Sequence, residues 1–194
     1  MSDSDQDFLA RRRALRRSMR TRRRSLPAGQ RRQANQRLSR HLATHPALRN
    51  ARRIALYLAN DGEIDPGGLL QHRRGRRWQF FLPALDPVYP GLLHFVPWRP
   101  GQPMARNRFG IPEPALRGRR PAAWTLDVIL MPLVAFDDAG RRLGMGGGFY
   151  DRTLARFTAR PRQPRLLGTA FQFQRVERLE AAEWDIPMDS VVTD

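Results

Sequence analysis

Residues 127–136 read DVILMPLVAF, and residues 141–152, a few positions later, read RRLGMGGGFYDR. The first stretch is a nearly unbroken apolar run. A strand whose two faces are both covered needs such a run, and strands in the middle of a parallel sheet are covered in that way. A turn over 137–140 leads into the second stretch, where Gly144, Gly146, Gly147 and Gly148 fill four of five positions. Glycine tolerates positive φ and places no Cβ in the path of a ligand. A helix predicted over 149–157 follows, and the free N–H groups of a helix start attract phosphate. The loop is not a Walker A loop, which needs Gly-Lys, and it lacks the third glycine of G-x-G-x-x-G. Open α/β sheets bind ligands at the carboxyl ends of their strands, so a glycine loop after the most apolar strand marks the candidate site.

Outward from this centre, strands and helices alternate. Residues 8–25 predict a helix with a thin apolar stripe of Phe8, Leu15, Met19 and Leu26 among arginines; Pro27 opens a second helix to about residue 44. Short apolar runs at 54–58, 78–82 (closed by Pro83), 92–96 and 166–170 read as strands, with Val191 and Val192 as a last one. Leu69 and Leu70 lie on an expected helix, and Asn60, Asp61 and Gly62 form a turn. The proline-rich stretch 97–121 carries apolar and aromatic anchors and is expected to be an ordered excursion rather than a linker. The pattern predicts an α/β three-layer sandwich with a mostly parallel central sheet and a basic N-terminal helical segment. Its 194 residues form a single domain, 1–194, with residues 1–7 flexible.

Composition removes several chemistries. There is no cysteine, hence no disulfide, thiolate ligand or catalytic thiol. All 35 Lys+Arg residues are arginine, which excludes Schiff-base, Walker A and protein-kinase lysines. Any anion must therefore be held by guanidinium forks and backbone N–H groups. The net charge is +17, and residues 1–120 hold 26 arginines against 8 acids, while residues 121–194 hold 9 against 10. No apolar stretch approaches the roughly 20 residues that span a bilayer, and no apolar segment follows the acidic N-terminus, so a cytoplasmic protein without a membrane partner is expected. His41 and His45 stand one helical turn apart but have no third ligand, and read as a surface helix end.

The segment RRLGMGGGFYDRTL closely resembles the signature of the 5-formyltetrahydrofolate cyclo-ligase family, also called methenyltetrahydrofolate synthetases. Other segments resemble the family in the same order: Arg12-Arg13-Ala14-Leu15-Arg16; Tyr57-Leu58 with Glu63-Ile64-Asp65; residues 107–114 ending Ile-Pro-Glu-Pro; and Glu183-Trp184-Asp185 followed by Val191-Val192-Thr193. Trp184 departs from the pattern, since many members carry histidine there.

The resemblance implies ATP-dependent closure of 5-formyltetrahydrofolate to 5,10-methenyltetrahydrofolate, through phosphorylation of the formyl oxygen and attack by N10. It implies ATP contacts from Arg12, Arg16, Arg142, Leu143, Gly144, Met145, Gly146, Gly147, Gly148, Phe149 and Tyr150, with Arg142 and Tyr150 catalytic. Folate contacts fall on Leu58, Glu63, Met145, Phe149 and Tyr150. Magnesium is expected at Asp151 and Asp185, because a carboxylate beside phosphates requires a cation between them. The expected partners are small molecules, and a monomer is expected. Two other readings stay open: a basic nucleic-acid-binding protein, for which the arginine excess speaks but no nucleic-acid module does, and a catalytically silent folate- or nucleotide-binding relative.

Overall fold

The computed structural model describes residues 3–72, 77–115, 122–157 and 159–194. Two helices, α1 (Asp3–Arg24) and α2 (Ala28–Thr44), are followed by the short α3 (Pro46–Arg49). The strands are β1 (Arg53–Ala55), β2 (Gln79–Leu85), β3 (Leu93–Trp98), β4 (Met104–Arg106), β5 (Pro112–Pro114), β6 (Val128–Pro132), β7 (Ala135–Phe136), β8 (Arg142–Leu143), β9 (Arg165–Ala170) and β10 (Ser190–Thr193), with α4 (Phe149–Ala155) between β8 and β9. α1 already begins at Asp3, inside the segment expected to be flexible. Asp7 pairs with Arg11 one turn later, at 2.9 Å, and acids early in a helix suit its positive end. Leu69 and Leu70 lie on a 3-10 turn, Pro66–Gln71, rather than on an α-helix.

The main sheet has the order β10-β9-β6-β1-β2-β3. All neighbours are parallel except β2 and β3, which form an antiparallel edge. Side chains alternate across it. Val128 and Leu130 join Ile54, Phe80, Leu82 and Leu167 under α2, where Leu38 and Leu42 are fully buried. Ile129 and Met131 join Ala55, Phe81 and Phe95 on the opposite face, under α4 and Leu154. Helices on both faces of a sheet make the three layers that the sequence pattern predicts.

Two prolines behave differently from the sequence expectation. The apolar run 127–136 is two strands, because Pro132 brings no N–H to continue the ladder; β6 ends there, and β7 pairs instead with β8 in a small hairpin. Pro83 does not close β2, which continues to Leu85. Phe81 turns its backbone oxygen to Leu56, so Pro83, two residues on, turns its donor-less nitrogen to the same side, past the end of β1. Within the proline-rich excursion, β4 and β5 form an ordered hairpin; its end, residues 116–121, lies outside the described residues, as do residues 1–2.

Central burial makes the fold sensitive to β6. Leu130 has no exposed surface, so Leu130→Ala should cost about 2–5 kcal/mol in urea denaturation with an unchanged slope. A loss well under about 1 kcal/mol would contradict the packing described.

Candidate active site

A cavity of about 470 Å³ opens at the carboxyl ends of β1, β2 and β6, within the range of small-molecule sites. Its wall is formed by Tyr57 and Leu58 after β1, Pro83 and Leu85 of β2, Pro132 of β6, the glycine loop, and Arg12 and Arg16 of α1. β6 stops at Pro132, and the β7–β8 hairpin then returns the chain to this end of the sheet. That return places residues 144–148 over the strand ends.

The loop has two positions only glycine fits well. Gly146 has φ +99°, and Gly148, which precedes α4, has φ +63°; a Cβ on Gly148 would lie 2.6 Å from an Arg152 nitrogen. Guanidinium groups hold the loop's carbonyls from two sides. Arg16 donates to Gly144 O at 2.9 Å from α1, and Arg152 donates to Gly147 O from α4. α4 has seven residues and ends at Ala155, short of the expected 157. A helix this short adds little dipole, so attraction for an anion falls mainly to Arg12, Arg16 and Arg142. Burial, and then the like charge of Arg12, lower the Arg16 guanidinium from its ordinary value.

Leu143 does not join its neighbours in the cavity. It is 1% exposed and packs with Ala135 and Leu179 against Leu15 and Met19 of α1. Alternation along β8 turns it away from Arg142. Its part is to dock the helix that carries Arg12 and Arg16, which also accounts for the thin apolar stripe of that helix.

Two ion pairs brace the polar wall. Arg142 meets Asp151 Oδ1 at 2.5 Å, and the same oxygen accepts from Ile186 N at 3.1 Å. Arg12 meets Asp185 Oδ2 at 2.7 Å and donates to Glu180 O, while Ala182 N donates to the same Asp185 oxygen. In both carboxylates these bonds fall on one oxygen, which leaves the other oriented for a further partner. Arg142 Nε is buried without a hydrogen-bond partner, an orphan donor beside the loop. No cluster of three metal-ligating side chains occurs among the described residues. A cation at Asp151 and Asp185 would therefore take its remaining ligands from a bound molecule or water.

The other end of the cavity is aromatic and carboxylic. Tyr57 donates to Ile64 O at 2.6 Å and meets Thr169 Oγ1 at 2.8 Å. Glu63 accepts from Asn60 N at 3.0 Å. Burial raises the Glu63 carboxyl, against the Asn60 hydrogen bond and the Arg23 charge. Burial, and then Glu63, also raise the Tyr150 phenol, so it stays protonated at neutral pH. Leu58, Met145 and Phe149 complete this side, and Trp184 stands at the rim, 66% exposed.

Sequence reasoning missed two contributors. The β4–β5 hairpin brings Asn107, Phe109, Ile111 and Glu113 into the wall, with Phe109 edge-on to Phe149 at 5.6 Å. Residues 107–114 were singled out in the sequence, but nothing in them indicates which cavity they face. The second is Asp61, gripped by Arg20, Arg23 and Arg24; a run of arginines does not reveal which one turns inward.

A profile of the 5-formyltetrahydrofolate cyclo-ligase family matches residues 9–194. The chain belongs to the 5-formyltetrahydrofolate cyclo-ligase family. Among members of the family, the 5-formyltetrahydrofolate cyclo-ligase of Escherichia coli K12 is 42% identical over 178 residues, covering 90% of this chain and 96% of the relative. The cyclo-ligase of Haemophilus influenzae is 40% identical over 182 residues, covering 93% and 96%. The solved structure of Aquifex aeolicus 5,10-methenyltetrahydrofolate synthetase superposes with a TM-score of 0.78 at 31% identity, covering 93% of this chain and 88% of the other. Fold and family thus agree with the expectation from the cyclo-ligase signature.

The Asp61 cluster sets a pH dependence. Burial alone would raise this carboxyl, but hydrogen bonds from Arg20, Arg24 and Arg23 outweigh it and hold it far below its ordinary value. A depressed carboxyl stabilises the fold above its unfolded value, about 3.9, and that contribution is lost as pH falls further. Asp61→Asn should therefore lower stability at neutral pH and flatten the acid limb below about pH 4. An unchanged acid limb would contradict this assignment.

Proposed function

We propose that this protein uses ATP to convert 5-formyltetrahydrofolate to 5,10-methenyltetrahydrofolate, with release of ADP and phosphate. The observation that carries the reading, beside family membership, is one cavity lined both by an arginine-braced glycine loop and by a largely covered carboxylate among aromatic side chains. The first end suits a triphosphate. The second suits a pteridine, whose N–H groups can donate to Glu63 while its ring lies against Phe149, Leu58 and Met145.

The chemical difficulty is that a formyl oxygen is a poor leaving group. The oxygen attacks the γ-phosphorus and ADP departs. N10 then attacks the activated carbon, loses its proton, and the C–O bond breaks to release phosphate. Phosphoryl transfer asks mainly for alignment and positive charge. Arg142, with its unpartnered Nε, supplies charge beside the loop, and Arg12 and Arg16 supply it from α1. Tyr150, kept protonated between Glu63 and Arg142, donates a hydrogen bond to the reacting oxygen or phosphate. Magnesium, held by the outward oxygens of Asp151 and Asp185, would neutralise phosphate charge when bound, in keeping with its habit of sharing few carboxylates with phosphates.

None of the described helices is long and apolar enough to cross a membrane. Phe109, Met145 and Trp184, three of the five large apolar side chains exposed among the described residues, line the cavity. That supports the reading of a monomer.

With ATP and magnesium, purified protein should turn 5-formyltetrahydrofolate into the methenyl product, followed by absorbance, with ADP formed only when folate is present. Folded protein that gives no product at ample concentration overturns the assignment. Arg16→Ala should weaken ATP binding about ten- to a hundredfold, the cost of a charge-assisted hydrogen bond, and the loss should persist in high salt. Arg13 and Arg17 are exposed, so their alanine variants should show small losses that salt removes. Equal, salt-screened losses at all three positions would show a diffuse field instead of a contact.

A further inference from the structure

Arg23 has no exposed surface, yet it lies on a helix whose other arginines mostly face water. Its guanidinium reaches four places. Nε donates to Asp61 O at 2.8 Å, Nη2 pairs with Asp61 Oδ2 at 2.6 Å and lies 3.4 Å from Met145 Sδ, and Nη1 donates to Leu133 O at 3.5 Å. Glu63 Oε1 stands 3.9 Å from the same Nη2. One side chain thus touches the turn that carries Glu63, the break after β6, and the glycine loop. The turn is shaped to meet it: Asp61 has φ +51°, and a Cβ on Gly62 would lie 3.2 Å from Arg23 O.

We propose that Arg23 is a positioning residue for the reaction, holding the turn of Asp61 and Glu63 and the glycine loop in one register. The proposal rests on the reading of Glu63 as the acceptor for the pteridine. Neutralising Asp61 alone does not require Arg23, because Arg20 and Arg24 already pair with that carboxylate from the surface. A fully buried guanidinium is costly to desolvate, and an apolar side chain would fill the same space more cheaply. What Arg23 adds is a fixed fork between two substrate subsites and a positive charge beside Glu63.

The charge has a consequence that mere packing does not. Glu63 faces Arg23 and Arg20 of α1, Asp61 of its own turn, and the Tyr57 and Tyr150 phenols. Burial pushes its carboxyl up, and Arg23 opposes that push. Without the charge, Glu63 takes a proton at higher pH and stops accepting from the substrate.

The test compares Arg23→Gln and Arg23→Lys with the wild type, measuring kcat and both KM values across the neutral range. Arg23→Gln should raise the KM for 5-formyltetrahydrofolate, by up to about tenfold where Glu63 is fully protonated, with the rise beginning at higher pH than in the wild type and shrinking as pH increases. Arg23→Lys keeps the charge and loses the fork, so its KM should follow the wild-type pH profile while kcat falls below that of the wild type. A pH-independent loss in Arg23→Gln that strikes both substrates equally would show a purely structural role and overturn the proposal. Should Arg23→Gln not fold, Arg23→Lys still decides, since wild-type kcat in that variant is equally contrary. Carbon NMR of the Glu63 carboxyl separates this proposal from the proposed activity, because it needs no turnover. A higher titration midpoint in Arg23→Gln beside a wild type inactive on folate would sink the activity alone; an unmoved midpoint would sink the role of Arg23.

Discussion

The contact between Arg142 and Asp151 joins everything the site requires. Arg142 opens β8, two residues before the glycine loop, while Asp151 sits in the first turn of α4, so their ion pair closes the loop at its base. The same aspartate oxygen receives Ile186 N, which ties in the segment that carries Asp185 and Trp184. Asp185 then meets Arg12 and so fixes α1. A buried ion pair repays its desolvation only when further hydrogen bonds complete it, and here they do so incompletely, since Arg142 Nε remains without a partner. Such an arrangement is poor economy for stability alone and well suited to an incoming phosphate.

Around this brace the sheet imposes the geography. Four neighbouring pairs of parallel strands point their carboxyl ends to one edge, and β6, the most buried of them, stops there at Pro132. Irregular chain can then serve as wall: the turn at 60–63, the β4–β5 hairpin and the glycine loop all converge on one cavity. Arginine supplies the positive charge around the cavity because the chain has no lysine. Part of the basic excess is thus internal, as the buried Arg12, Arg23 and Arg142 each meet a carboxylate.

The parts of this structure that were legible in the sequence are those governed by local pattern. The apolar run at 127–136 marked the central strand, and the glycines after it marked the loop, since burial on both faces and positive φ each demand particular residue types. The site residues inferred from the family signature, apart from Leu143, line one cavity. Leu143 stands apart because a signature gives residues in order but not the direction of each side chain on a two-residue strand. Arg23 was invisible for a related reason: in RTRRRS the neighbours are chemically alike, and only long-range packing chooses the one that turns inward. The β4–β5 hairpin likewise depends on contacts across 28 residues, as where Leu85 N donates to Glu113.

In the proposed reaction the formyl oxygen itself receives the phosphoryl group within this cavity. Its most direct test is turnover of 5-formyltetrahydrofolate carrying oxygen-18 in the formyl group, with the released phosphate read by phosphorus NMR. The label should appear in inorganic phosphate, bonded to phosphorus, in proportion to the methenyl product formed. Methenyl product accompanied by unlabelled phosphate would contradict it, because the oxygen would then have left by another route.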